Sequence, residues 1–380
     1  MISERARQVK PFIVMDVMEK ARDMESKGKD VIHLEVGEPD FQTPSLIVDA
    51  AVRAMREGKT QYTHSLGLPE LREGIAAYYR ERYHVDVSHE QILVTAGTSP
   101  AMMLLFSVLI ESGDSVILSN PHYASYPYVV RFFDGKPVFV PVREEDRFQF
   151  VPGDVKKSAS KGTRAILINS PANPTGSLLE PERMKEIADI GPIVVSDEIY
   201  HGLVYEGREH SILEYTENAC VINGFSKLYA MTGWRLGYLI VPKKMARTLQ
   251  KIHQNFFICA NAFVQWAALT ALTDKRVKRE VEMMRVVYDI RRKVMVALLK
   301  EIGFGVLHPP GGAFYVFANA SRFTKNSYEF AMDILEKARV ALTPGIDFGS
   351  EGEGYIRFSY ATSLENINEG IKRLSEYLQR

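Results

Sequence analysis

At 380 residues, with 46% hydrophobic and 25% charged residues, the chain has the composition of a folded globular protein and a length that predicts two domains. Lys plus Arg and Asp plus Glu balance at 47 each, which excludes recruitment of nucleic acid or an anionic membrane surface by bulk charge. Cys220 and Cys259 are too few for a disulfide framework, no apolar run approaches bilayer length, and residues 1–10 lack a signal-peptide core, so a cytoplasmic protein is expected.

Ile13, Val17 and Ala21 recur at helical spacing within residues 11–27, and residues 31–36 read as a strand ending in the turn Gly37-Glu38-Pro39-Asp40. Helices are predicted over 46–58 and 69–83, on either side of a polar loop that contains Tyr62 and Gly67. A strand-then-helix pattern follows: 91–95 into 99–110, 115–118 into 123–133, and 165–168 into 180–188. Further short strands are predicted at 193–196, 219–223 and 236–241. Short apolar runs between helices predict an α/β fold with a mostly parallel central sheet flanked by helices. Beyond about residue 270 the texture changes to a long charged helix over 276–299, a Pro/Gly turn at Pro309-Pro310-Gly311-Gly312 and a strand at 313–318. The expected division is a large domain over 45–270 and a smaller α+β domain built from both termini, 1–44 and 271–380.

In open α/β sheets sites gather at the carboxyl ends of strands, where Gly97, Thr98, Ser99, Tyr123, Asn173, Asp197 and Lys227 are predicted to fall. Lys227 stands among small residues, with Arg235 eight positions later. A lysine forms a Schiff base with an aldehyde and an arginine fork suits a phosphate, two functions that pyridoxal 5'-phosphate carries on one ring. Asp197 ends an apolar run and Tyr200 follows it, so a carboxylate for a ring nitrogen and a phenol for a ring oxygen emerge together. Asn173 lies in the proline-stiffened loop Asn169-Ser170-Pro171-Ala172-Asn173-Pro174-Thr175-Gly176, and Gly97-Thr98-Ser99 is a candidate anion cradle opening a helix. Taken singly, each has a plainer reading: a helix cap for Asp197, a core phenol for Tyr200, a turn for Asn173. The histidines are scattered without metal-ligand spacing, so no metal site is expected, and no Gly-x-Gly-x-x-Gly follows a strand.

Jointly and in order, Tyr62, Gly97-Thr98-Ser99, Tyr123, Asn173-Pro174-Thr175-Gly176, Asp197-Glu198-Ile199-Tyr200, Ser226-Lys227 with Arg235, and Arg357 resemble the class I and II pyridoxal 5'-phosphate-dependent aminotransferases of the aspartate aminotransferase fold. The resemblance spans nearly the whole chain. It implies that Lys227 joins the cofactor and later moves the substrate's α-proton, that Asp197 meets the ring nitrogen, and that Tyr200 and Asn173 meet the ring oxygen. It further implies that Tyr123 stacks on the ring, and that Gly97, Thr98, Ser99, Ser226 and Arg235 hold the phosphate. Tyr62 would reach the cofactor of the neighbouring subunit in a homodimer. Arg357 would clamp the substrate α-carboxylate with help from Asn173 and the Gly37 N–H.

The implied activity is transfer of an amino group from an amino acid to a 2-oxo acid through a pyridoxamine intermediate, with aspartate or aromatic amino acids as leading donors and 2-oxoglutarate as acceptor. Elimination by a C–S β-lyase on the same fold is the alternative, and a cofactor-binding sensor protein is a more distant one. Ser99 departs from aspartate-using relatives that carry a lysine there, so recognition of a dicarboxylate would have to come from elsewhere. Phe12, Ile13, Val14, Met15, Phe256, Phe257, Phe314 and Tyr315 are candidates for an apolar wall.

Overall fold

Apolar runs bounded by glycine, proline or polar residues form the strands. In chain order these are β1 (Ile32–His33), β2 (Ile92–Thr95), β3 (Ser115–Asn120), β4 (Lys136–Pro141), β5 (Thr163–Asn169), β6 (Ile193–Asp197), β7 (Ala219–Gly224), β8 (Gly237–Ile240), β9 (Tyr315–Asn319), β10 (Val340–Ala341), β11 (Thr343–Pro344) and β12 (Tyr355–Ser359) in the computed structural model, which describes residues 2–379. Seven of them make one sheet in the order β2-β8-β7-β6-β5-β3-β4. The pairs from β4 through β7 are parallel, whereas β8 runs antiparallel to both β2 and β7. The reversal has a local cause. Residues 225–236 hold no crossover helix, and a chain that returns to its sheet without one comes back antiparallel.

Alternate residues of these strands enter two separate cores, as the period of two requires. Ile92, Val94, Ile117, Ile166, Val194 and Val221 face the helices Ser45–Arg56, Pro69–Tyr83 and Ala262–Thr273. Leu93, Val116, Leu118, Leu167, Val195 and Ile222 face Thr98–Leu109, Tyr126–Phe132 and Lys243–Phe256. A third core joins Tyr288, Met295 and Leu299 of the 27-residue helix Lys275–Glu301 to the antiparallel sheet β11-β12-β9. Ile32 and Leu34 belong to that core too, because β1 pairs in parallel with β10. Residues near the two ends of the chain therefore pack together.

Several elements depart from their expected bounds. Of 31–36 only Ile32 and His33 are strand, since the Glu35 carbonyl accepts from Arg357 Nη2 at 2.6 Å and from the Thr343 hydroxyl at 3.2 Å instead of from a neighbouring strand. β4 was not foreseen: it is a half-exposed edge strand carrying Pro137 and Pro141, which breaks the apolar signal. The helices Lys243–Phe256, Ala262–Thr273, Ser327–Ala338 and Leu364–Leu378 were also not individually assigned. No helix among the described residues is long and apolar enough to cross a membrane.

One ion pair beside β1 predicts a pH effect on stability. His33 Nδ1 bonds Glu35 Oε1 at 2.7 Å and its Nε2 meets Glu25 Oε1 at 3.2 Å. The Glu35 hydrogen bond leads the effects that raise the His33 pKa from 6.5 to about 9, against the opposing cost of burial. A folded pKa above the unfolded one means the folded state holds the proton more tightly. The contribution is complete below the ordinary histidine value and disappears as pH rises through about 9. Thermal unfolding of His33→Gln should therefore fall short of the parent most at pH 6 and converge with it by pH 10. A gap that is the same at both pH values would refute the pairing.

Candidate active site

The carboxyl end of β6 places Asp197 at the floor of a cavity of about 450 Å³. The site needs its side chain fixed and desolvated, and both conditions are met. Asp197 Oδ2 accepts from the Tyr126 hydroxyl at 2.8 Å and Oδ1 from the Ile199 N–H at 3.2 Å. Burial raises its pKa to about 6, while the Tyr126 and Ile199 hydrogen bonds and the Lys227 charge oppose that rise.

Lys227 follows β7 in the loop that leads to β8, and its Nζ donates to the Gly37 carbonyl at 2.6 Å. Burial brings its pKa down to about 8; Glu38 and Asp197 act against this, and Arg357 and Arg235 act with it. An amine so placed is partly neutral near physiological pH, which is the state a nucleophile or a proton acceptor needs. Tyr200, three residues beyond Asp197, is buried, and its hydroxyl shares a 2.9 Å hydrogen bond with the Tyr315 hydroxyl.

Arg357 enters from β12 and is 4% exposed. Its Nη1 donates to Asn173 Oδ1 at 2.9 Å and its Nη2 to the Glu35 carbonyl and the Thr343 hydroxyl. The Tyr315 ring lies 4.3 Å from its guanidinium carbon and the Phe348 ring 5.0 Å. Its Nε, although buried, has no hydrogen-bond partner. A guanidinium lining the cavity is suited to meet a carboxylate there.

At the opposite end Gly97 adopts φ +104° and opens the helix Thr98–Leu109. A Cβ on Gly97 would stand 2.5 Å from Arg235 Nη2, so only glycine lets the guanidinium approach the helix N-terminus. Thr98, Ser99, Ser226 and Arg235 line the cavity here. Free helix N–H groups, three hydroxyls and a guanidinium make an anion-binding corner. Between the two ends Tyr123 turns its ring toward Phe12, with centroids 6.1 Å apart at 27°.

The fold thus gathers Gly37, Thr98, Ser99, Tyr123, Asn173, Asp197, Tyr200, Ser226, Lys227, Arg235 and Arg357 on one cavity, with Gly97 against Arg235. Tyr62 is not among them: it is 80% exposed. The apolar wall needs correction. Phe12, Val14 and Met15 line the cavity together with Met18, but Phe256 and Phe257 are exposed and away from it, and Ile13 and the fully buried Phe314 are not part of its lining. Tyr315 does line it, through a polar role that the wall reading missed. Tyr126, Glu38, Thr232 and Asp347 also line the cavity and were not singled out. Tyr126 had a usable signal, since it stands three residues after Tyr123 and opens the helix Tyr126–Phe132.

A planar ring with a cationic nitrogen, an aldehyde and a phosphate matches this donor set at each end: a buried carboxylate, a partly neutral amine and an anion corner beside an aromatic plate. A sequence profile described as aminotransferase class I and II matches residues 29–374. The chain belongs to that family. This aminotransferase is a pyridoxal 5'-phosphate-dependent enzyme with the aspartate aminotransferase-like fold. It is 43% identical to (5-formylfuran-3-yl)methyl phosphate transaminase of Methanocaldococcus jannaschii and 41% identical to an aspartate aminotransferase of Pyrococcus horikoshii, with all of this chain and 100% and 97% of those proteins covered. Among solved structures, aspartate aminotransferase of Thermus thermophilus with maleate superimposes with a TM-score of 0.95 at 36% identity, over 99% of each chain. A Methanococcus jannaschii protein described as similar in its active site to kynurenine aminotransferases gives 0.94 at 43% identity, over 100% of each chain. The C–S lyase alternative gains no support from these relatives.

Proposed function

We propose that this aminotransferase takes aspartate or an aromatic amino acid as donor and 2-oxoglutarate as acceptor, with Lys227 as the residue joined to the cofactor. The observation that carries the reading is that the Arg357 guanidinium, the Lys227 amine and the Asp197 carboxylate line one cavity. When bound, pyridoxal 5'-phosphate supplies a carbonyl for the donor's nitrogen and a cationic ring that draws electrons from the α-carbon.

The chain's own residues supply the rest. Asp197, held by Tyr126 and the Ile199 N–H, keeps the ring nitrogen protonated, and Tyr200 and Asn173 serve the ring oxygen. Tyr123 stacks on the ring; Gly97, Thr98, Ser99, Ser226 and Arg235 receive the phosphate. Arg357, with Asn173 and the Gly37 N–H, holds the substrate α-carboxylate, so the α-proton faces an amine that takes it up at Nζ and returns it elsewhere. Tyr62 belongs to the phosphate corner of the neighbouring subunit in a homodimer, a role supported by its 80% exposure on its own chain. Residues 45–270 form the large domain and residues 1–44 with 271–380 the small one, and the enzyme works in the cytoplasm.

Two observations support the choice of donors. The Pyrococcus and Thermus relatives are named aspartate aminotransferases, and Phe12, Val14, Met15 and Met18 give an aromatic side chain an apolar surface. Steady-state kcat/KM for aspartate, tyrosine, phenylalanine, alanine and lysine, each with 2-oxoglutarate, tests the proposal. Aspartate or an aromatic donor should exceed alanine at least ~10-fold, as one well-made side-chain contact allows. Alanine or lysine at the head of the series would refute it.

A further inference from the structure

Residues 37–43 run beside the loop that carries Lys227, and four hydrogen bonds stitch the two together. Lys227 Nζ donates to the Gly37 carbonyl at 2.6 Å, and the Thr232 hydroxyl donates to Glu38 Oε1. The Thr43 hydroxyl donates to the Ala230 carbonyl at 2.5 Å while accepting from Trp234 Nε1 at 2.9 Å. Farther along, Arg291 pairs with Asp40 at 2.8 Å and lies over Phe41. The strap therefore has an anchored end at residues 40–43, and its other end, Gly37-Glu38, lines the cavity.

Glu38 is the member of the strap that brings charge to the cavity. Its partner is a neutral hydroxyl, so its charge is not cancelled locally. Thr232, which that hydroxyl belongs to, also gives its carbonyl to Arg235 Nη1 at 3.0 Å. One carboxylate is thus one residue removed from the guanidinium of the anion corner and adjacent in sequence to the carbonyl that holds the lysine. The charged groups acting on Lys227 are Glu38, Arg357, Arg235 and Asp197. Asp197 is committed to Tyr126 and the Ile199 N–H, and Glu38, held by the Thr232 hydroxyl, is the other anion acting on Lys227.

We propose that Glu38 is a positioning residue of the reaction, fixing the Lys227–Arg235 loop through Thr232 and supplying the negative charge that balances Arg235 and Arg357 at the Lys227 nitrogen. The inference rests on the reading of Lys227 as the residue joined to the cofactor. The two parts of the role are separable by substitution. Glu38→Gln keeps an acceptor for the Thr232 hydroxyl and removes the charge, whereas Glu38→Ala removes both.

The test uses the cofactor-loaded protein and two readings besides activity: the pH midpoint of its visible absorbance, and cofactor affinity by equilibrium dialysis. A carboxylate favours the protonated form of a nearby nitrogen, so its loss should lower the midpoint. Glu38→Gln should titrate roughly half a pH unit below the parent, by an amount that shrinks in 1 M salt because the group is exposed, with affinity within about twofold. Glu38→Ala should show the same lower midpoint and bind the cofactor about 10-fold more weakly, the loss expected for one hydrogen bond to a charged group. A Glu38→Gln midpoint equal to the parent's at low salt, or equal affinities for the two variants, overturns the proposal. Lys227→Ala separates the underlying reading: if that variant keeps the pH-dependent band, it is the assignment of Lys227 that fails, whatever Glu38 does.

Discussion

Lys227→Ala should abolish turnover while leaving the fold intact. The amine is the nitrogen base of this cavity, because the other two basic side chains lining it, Arg235 and Arg357, are guanidinium donors with no acceptor. Proton transfer by a positioned side chain is worth about 10²–10⁴ in rate, and loss of the covalent link to the cofactor adds to that. The variant loses one hydrogen bond to the Gly37 carbonyl and the ammonium over Tyr200 and Phe314 but no helix or strand residue, so its circular dichroism should match the parent's. Its visible absorbance, measured with excess cofactor and then after dialysis, should be lost in the second measurement. Turnover within tenfold of the parent would contradict the assignment.

The second large effect is at Arg357. Its guanidinium is fixed by Asn173, Glu35 and Thr343 and lines the cavity. Truncating one partner of a buried, hydrogen-bonded charge pair costs about 2–5 kcal/mol, so Arg357→Gln should lower kcat/KM roughly 10²–10³-fold for amino acids. Arg357→Lys keeps the charge but loses the planar fork that meets a carboxylate with two N–H groups, and should recover only part of the loss. A control distinguishes clamping from general damage: an amine that lacks the α-carboxylate should react equally slowly with parent and variant. Equal losses for amine and amino acid would show that Arg357 serves the fold and not the substrate.

The sheet was legible because buried parallel strands announce themselves as short apolar runs, and the chemistry was legible because it sits where those runs end. Asp197 is the plainest instance, since a carboxylate closing Ile193-Val194-Val195-Ser196 stands at a strand's carboxyl end, although a helix cap would also place one there. What sequence did not disclose was set by contacts distant along the chain. The Glu35 carbonyl leaves strand geometry because Arg357, 322 residues later, claims it. Tyr315 looked like part of an apolar wall, and only the fold brings its hydroxyl to Tyr200 and its ring beneath Arg357. Phe256 and Phe257 have the composition of a pocket wall and end on the surface, because Lys243–Phe256 stops there with its apolar stripe, Met245 and Leu249, turned into the core. Edge strand β4 escaped notice for a related reason: half-exposed residues and prolines carry no apolar period.

The most direct test of the account is a single half-reaction. Cofactor-loaded protein mixed with aspartate or tyrosine, with no oxo acid present, should release one equivalent of the matching 2-oxo acid per site, no ammonia, and lose its visible absorbance until 2-oxoglutarate restores it. Continued release of a 2-oxo acid together with ammonia, beyond one equivalent and without an acceptor, would contradict transamination as the reaction of this site.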